Sequence, residues 1–278
     1  FSCMYGGERL TKRQLLTQPE EASCSEEDCA VSFDHAVSRL GWCVQNFRGY
    51  QKKILRDAFF EAFETYETGC APVIQELNSG VRPERQTELL DRAAEAMLGE
   101  LSAGWEKKND MEDEKVILAI FFVPMVRKLQ LPVSEEFVSL LQKKWVERYP
   151  KSPFYLGDYE SISGGFRKKF LGLCFITTAV CQELDKPDDC AELTAFRAFR
   201  DGYLAAQPDG EALIREYYNI APGIVTCINT CSDRHASYER IREQYLTPCY
   251  EDLLAGRNAD CKTRYVQMVR DLEREYLN

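Results

Sequence analysis

The chain has 278 residues, 45% of them hydrophobic and 29% charged, with a formal net charge of −10. That length suits one large domain or two smaller ones, and the composition is ordinary for a soluble globular protein. A field of this sign, with no basic block to offset it, counts against nucleic acid and anionic membrane surfaces as partners.

Residues 1–32 read as an irregular segment, with Gly6-Gly7, Pro19, an acidic cluster from Glu20 to Asp28, and Cys3, Cys24 and Cys29. Cys24 and Cys29 have the spacing of half a metal site, but no second pair stands nearby. From Phe33 a helical period takes over, as Val37, Leu40, Val44 and Phe47 recur at three- and four-residue steps. Ile54, Leu55, Ala58, Phe59, Ala62, Phe63 and Tyr66 continue it as far as Gly69. Pro83 suits a first helical turn, and Leu89, Leu90, Ala93, Ala94, Met97, Leu98 and Leu101 follow on one side up to Gly104.

Glu112 to Leu129 reads as the most buried helix of this half, kinked at Pro124. Its apolar run, Val116 to Val126, falls well short of the roughly 20 residues a spanning helix needs. Ser134 opens a further helix with Phe137, Leu140, Leu141, Trp145 and Val146 inward. Pro150 and Pro153 end it, and Gly157, Ser161, Ser163, Gly164 and Gly165 read as a loop. A boundary near residue 160 then separates two helical modules, 33–160 and 161–278.

The second module opens on Gly164 to Cys181, two glycines and three cations followed by an oily run. Taken as one helix, it puts Arg167, Cys174 and Cys181 on a single stripe, flanked by Thr177 and Thr178. A turn at Pro187-Asp188-Asp189 precedes a helix from about Cys190 to Ala205. Pro208-Asp209-Gly210 starts another, with Tyr217, Tyr218 and a kinking Pro222. Two last helices cover about Ser237 to Leu254 and Ala259 to Tyr276, the latter with Tyr265, Met268, Val269, Leu272 and Tyr276 on one face. With no alternating strand pattern and no fixed repeat, the expected fold is an all-α multi-helix bundle.

Twelve cysteines in 278 residues fall below the roughly 8–10% of a disulfide scaffold, and most lie inside apolar helical patterns. They read as reduced, small core residues of a cytoplasmic protein, with an oxidised extracellular chain as the alternative. No Gly-rich phosphate loop, HExxH, GxSxG or CxxC is present. His35 and His235 are the only histidines, too few for a His-rich metal site. No cofactor is required by these residues.

Cys174 is the candidate nucleophile. Cations favour a thiolate, but Arg167 would lie about 10 Å away along a helix. Leu173, Phe175 and Ile176 are apolar and raise a thiol pKa, so burial dominates. Cys227 and Cys231 share a helix face and, with Cys174 and Cys181, form a candidate thiolate set for copper or zinc. Arg197 and Asp201, four apart, can pair along their helix. Arg200, if turned inward, needs a carboxylate, a carbonyl or an anionic ligand.

Cys174-Phe175-Ile176-Thr177-Thr178-Ala179, then Leu193 with Phe196-Arg197 and Phe199-Arg200-Asp201, then Gly210 with Tyr217-Tyr218 and Ile220-Ala221-Pro222, resembles the CFI-box module of bacterial proteins. The match covers residues 165–225 best. Thr177 stands where that family has alanine, and Val180-Cys181 replaces its small-aromatic-Gly ending. With Cys181, Cys190 and the long tail, the chain is similar to the version found in Clostridia-like bacteria. The family carries no assigned activity, so the resemblance implies a bacterial helical module but no mechanism.

Three functional readings follow. One is a non-catalytic module binding a protein partner or a small anionic or apolar ligand, with Arg167, Thr177, Thr178, Arg197, Arg200, Asp201, Tyr217 and Tyr218 around the Cys174 helix. Another is a cysteine-dependent activity with Cys174 as nucleophile or redox thiol and Arg167 or Arg200 holding an anion. The last is a metal store or sensor using Cys174, Cys181, Cys227 and Cys231.

Overall fold

The helical period seen along the sequence becomes helix nearly throughout the computed structural model, which describes residues 26–106, 109–167, 174–231 and 233–278. Among these residues the only β feature is an isolated bridge between Phe154 and Cys231. The fold is all-α, a bundle of many helices. Cys3 and Cys24 lie outside the described residues.

The first half packs α1 (Glu26–Leu40), the short α2 (Trp42–Gln45), α3 (Phe59–Gly80), α4 (Gln86–Ala103), α5 (Asp110–Ile117), α6 (Val123–Lys128) and α7 (Ser134–Arg148). α3 does not stop at Gly69. It runs on through Pro72 because Cys70, Val73, Ile74 and Leu77 extend the buried face. At its end Gly80 lets α1 come close, since a Cβ there would sit 2.4 Å from the backbone nitrogen of Phe33. In α7, Phe137, Val138, Leu141 and Trp145 are buried, whereas Val146 points to solvent, contrary to its expected inward position.

Between α5 and α6 lies a π turn, Leu118–Phe122, every residue of it buried. Pro124 follows at once. A proline donates no N–H and crowds the carbonyl one turn back, and widening the helix accommodates both without breaking it. Phe121 in this turn sits within 5.5–6.1 Å, centroid to centroid, of Tyr50, Phe59, Phe63 and Tyr66. Glu114, fully buried, accepts hydrogen bonds from Arg48 at 2.8 Å and Trp105 Nε1 at 2.8 Å.

The stretch read as a loop is helical: α8 spans Tyr159–Arg167 and contains Ser161, Ser163, Gly164 and Gly165. Asp158 caps it by accepting from the Ser161 backbone N–H and hydroxyl, both at 2.8 Å. Burial of Ile162 and Phe166 then outweighs the low propensity of two glycines. Phe166 stacks on Phe59 at 4.2 Å.

The remaining helices are α9 (Phe175–Glu183), α10 (Ala191–Ala198), α11 (Gly210–Asn229), α12 (Arg234–Ile241), α13 (Thr247–Leu254) and α14 (Asn258–Tyr276). π turns follow α10 (Phe199–Leu204) and α12 (Arg242–Leu246). α11 is the hub, packing on α8, α9, α12 and α14. It also reaches the first half at Gly223, where an added Cβ would lie 1.9 Å from the Ile54 carbonyl oxygen. The Asn219 carbonyl and side chain accept the Arg56 and Asp57 N–H groups nearby.

Candidate functional site

Cys174 to Thr177, Val180 and Cys181 are buried, but Cys174 does not continue a helix from residue 164. α8 is described as far as Arg167, and Lys168 to Leu173 lie outside the described residues. Cys174 itself is non-helical (φ −105°, ψ 81°) and stands just before α9. Its carbonyl accepts the Thr178 N–H at 2.6 Å, which starts the helix. The Arg167–Cys174–Cys181 stripe therefore does not exist. Arg167 is half-exposed, pairs with Glu160 at 3.1 Å and lies over the rings of Phe60 and Tyr159.

Arg200 takes the place expected of Arg167. The π turn after α10 swings it inward, where it is 8% exposed. Its Nε and Nη2 donate to the two oxygens of Asp201 at 2.7 and 2.8 Å, and its Nη1 to the Cys174 sulfur at 3.5 Å. Sequence neighbours on a regular α-helix do not face each other; the widened turn is where this pair forms. Asp201 thus pairs with Arg200, not Arg197. Arg197 instead donates to the carbonyl and carboxylate of Asp188 at 2.7 and 2.8 Å.

Tyrosines from α11 and α14 complete the surroundings. Tyr217 Oη accepts the Ile176 N–H at 3.0 Å, one of the donors that a helix start leaves without an intrahelical partner. Tyr265 Oη donates to Tyr217 Oη at 3.3 Å and lies 3.2 Å from the Thr177 hydroxyl. Tyr218, also buried, meets Phe175 edge-on at 6.0 Å. Thr178 lies on another side of α9, on a groove shared with Gln182 and Glu183.

A cavity of about 50 Å³ opens against Cys174, walled by Phe196, Phe199, Arg200, Tyr217 and Tyr265. Burial pushes the Cys174 thiol up, and Arg200 and then Arg197 pull it back only in part. The sulfur is a neutral thiol at neutral pH. Burial also holds Tyr217 and Tyr265 well above the ordinary phenol range. Arg200 in turn holds the Asp201 carboxyl below its usual value. The site is a carbon-lined recess with a guanidinium and a thiol at one edge.

The four cysteines of the metal reading are not brought together. Cys174 faces Arg200, and Cys181 lies 3.7 Å from Cys190. Cys231 donates to the Cys227 carbonyl at the far end of α11. No group of three or more metal-ligating side chains gathers among the described residues. Both histidines are exposed, His35 against Glu76 and His235 against Glu183. Tyr265 and Phe199 are site residues that sequence reasoning missed. On an amphipathic pattern Tyr265 looks like any core aromatic, and only the fold shows where its hydroxyl ends.

No helix among the described residues is long and apolar enough to cross a membrane. Comparison with protein-family models, curated proteins and solved structures finds no match.

Proposed function

We propose that this chain is a non-catalytic helical binding module of the CFI-box kind, and that the Cys174–Arg200 recess receives a small ligand. One observation carries this reading: Arg200 lines an apolar cavity, is held there by Asp201, and has its Nη1 3.5 Å from the Cys174 sulfur. The walls suit a short apolar body, and the guanidinium and thiol suit an acceptor or anionic head. A cavity of about 50 Å³ takes only a few atoms, so the ligand is either very small or enters by its tip.

A cysteine-dependent enzyme needs a thiolate, and burial at Cys174 works against one. The test is a series of short alkyl carboxylates and the matching alcohols, followed by protein NMR and by protection of Cys174 from maleimide. Saturable protection by a carboxylate, weakened in Arg200→Met, supports the reading. Protection by no member of the series, or protection unchanged in Arg200→Met, overturns it. A Cys174 that reacts far faster than the other thiols would favour the enzyme instead.

A further inference from the structure

Ten cysteines are described, all as free thiols, and six of them stand in three mutual pairs. Cys43 of α2 and Cys70 of α3 are both fully buried, and the Cys70 sulfur lies 3.8 Å from the Cys43 carbonyl oxygen across 27 residues of chain. Cys181 of α9 and Cys190, just before α10, meet sulfur to sulfur at 3.7 Å across 9 residues. Cys249 of α13 and Cys261 of α14 are both fully buried, and the Cys249 sulfur lies 3.9 Å from the Cys261 carbonyl oxygen across 12 residues. Each pair ties one helix to the next in the chain. A core that merely needs small residues has no reason to set cysteine against cysteine at three separate helix junctions.

We propose that these are three disulfide sites: Cys43–Cys70, Cys181–Cys190 and Cys249–Cys261. In the Cys181–Cys190 pair the sulfurs stand 3.7 Å apart and must close to the bonded separation of about 2.0 Å; in the other two pairs one sulfur lies against its partner's backbone carbonyl and must turn toward the partner sulfur. Burial and the partner thiol push the Cys43, Cys181 and Cys261 thiols up, which slows exchange once the chain is folded and leaves the half-exposed Cys190 as the entry point. Cys174, against Arg200, and Cys227 and Cys231, one turn apart on a single helix, fall outside the scheme.

The oxidant is a low-molecular-weight disulfide such as glutathione disulfide. One cysteine thiolate attacks a sulfur of the oxidant, forms a mixed disulfide and expels one glutathione thiolate. The partner thiolate then attacks the protein-side sulfur, closes the bridge and expels the second glutathione. Two protein sulfurs are oxidised, two glutathione sulfurs are reduced, and the two thiol protons pass to the departing thiolates. Cys190 is half-exposed, so its pair is the one open to exchange in the folded chain; the other two close during folding. This assignment sets aside the reduced, cytoplasmic reading of the cysteines and places the chain in an oxidising compartment.

Two experiments on the full chain test it. Folded, reduced protein is incubated with glutathione disulfide, alkylated in denaturant and mapped by mass spectrometry; a Cys181–Cys190 cross-link is expected first. Protein refolded from reduced denaturant in glutathione redox buffer should carry all three bridges, each with two hydrogens less mass, and Cys174 and Cys227 should be alkylated. Addition of reductant should lower its Tm by several degrees. Cys190→Ser, at a half-exposed position, should lose only its own bridge and leave Cys181 alkylated. Complete alkylation of all thiols after both treatments, or bridges joining other partners, overturns the proposal.

Discussion

The guanidinium of Arg200 lies 3.5 Å from the sulfur of Cys174 across 26 residues of chain. This contact, not any stripe along one helix, joins the Cys-Phe-Ile segment to the π turn that follows α10. It sets the chemistry of the recess, because it places a permanent charge beside a thiol that burial keeps neutral.

Replacing Arg200 by methionine should make Cys174 harder to ionise. Its alkylation rate should begin to rise at a higher pH than in the wild type, as read from a pH–rate profile. Stability should change by less than about 1 kcal/mol, because the Asp201 carboxylate left behind is largely solvated. An unshifted profile would show that the contact has no electrostatic consequence.

Alkaline pH should unfold the chain more readily than acid strength at these groups would suggest. Burial raises Cys174 and Cys227 above the ordinary thiol value of 9.0 and Tyr217 above the ordinary phenol value of 10.0. The folded chain holds these protons longer than the unfolded one. Their contribution is intact below about pH 9 and is lost as pH climbs towards the folded-state values. Denaturant midpoints should be flat across neutral pH and fall above it.

Tyr265→Phe removes the hydroxyl that meets both Thr177 and Tyr217. Tyr217→Phe leaves the Ile176 N–H without its acceptor at the start of α9. Each should cost about 1–3 kcal/mol, the penalty for a buried polar group left unpaired. The double variant should cost less than the sum, because both changes cut one connected chain of hydrogen bonds. Equilibrium unfolding in urea measures all three.

Gly223 and Gly99 should respond to alanine with opposite signs. At Gly223 the new methyl would run into the Ile54 carbonyl, a backbone atom that cannot swing aside. A loss of roughly 1–3 kcal/mol is expected there. At Gly99, on the exposed side of α4, an added Cβ meets nothing within 4 Å. Alanine should stabilise α4 by roughly 0.5–1 kcal/mol.

The fold class was legible because apolar spacing is a local signal: α4, α10, α11 and α14 follow the pattern of their own residues closely. Pro124 was legible as a disturbance, though not as a π turn. Gly164 and Gly165 misled, since composition alone does not show that Phe166 will find Phe59 to stack on. Arg200 was recognised as a residue needing a partner if it turned inward. Its bond to Asp201, however, depends on a widened turn that a regular period of 3.6 residues does not foresee. The cysteine pairs were out of reach for a similar reason. Spacings of 27, 9 and 12 residues share no period, and only tertiary packing makes them alike.

The wide turn at Phe199–Leu204 also works as a vernier. It holds one residue more than an ordinary turn would, so whatever comes after it is offset by about 100° around the axis. Deleting Gly202 alone would keep every amino acid that lines the recess and still point those that follow at the wrong walls. Here the count of residues, as much as their kind, is what the cavity is made of.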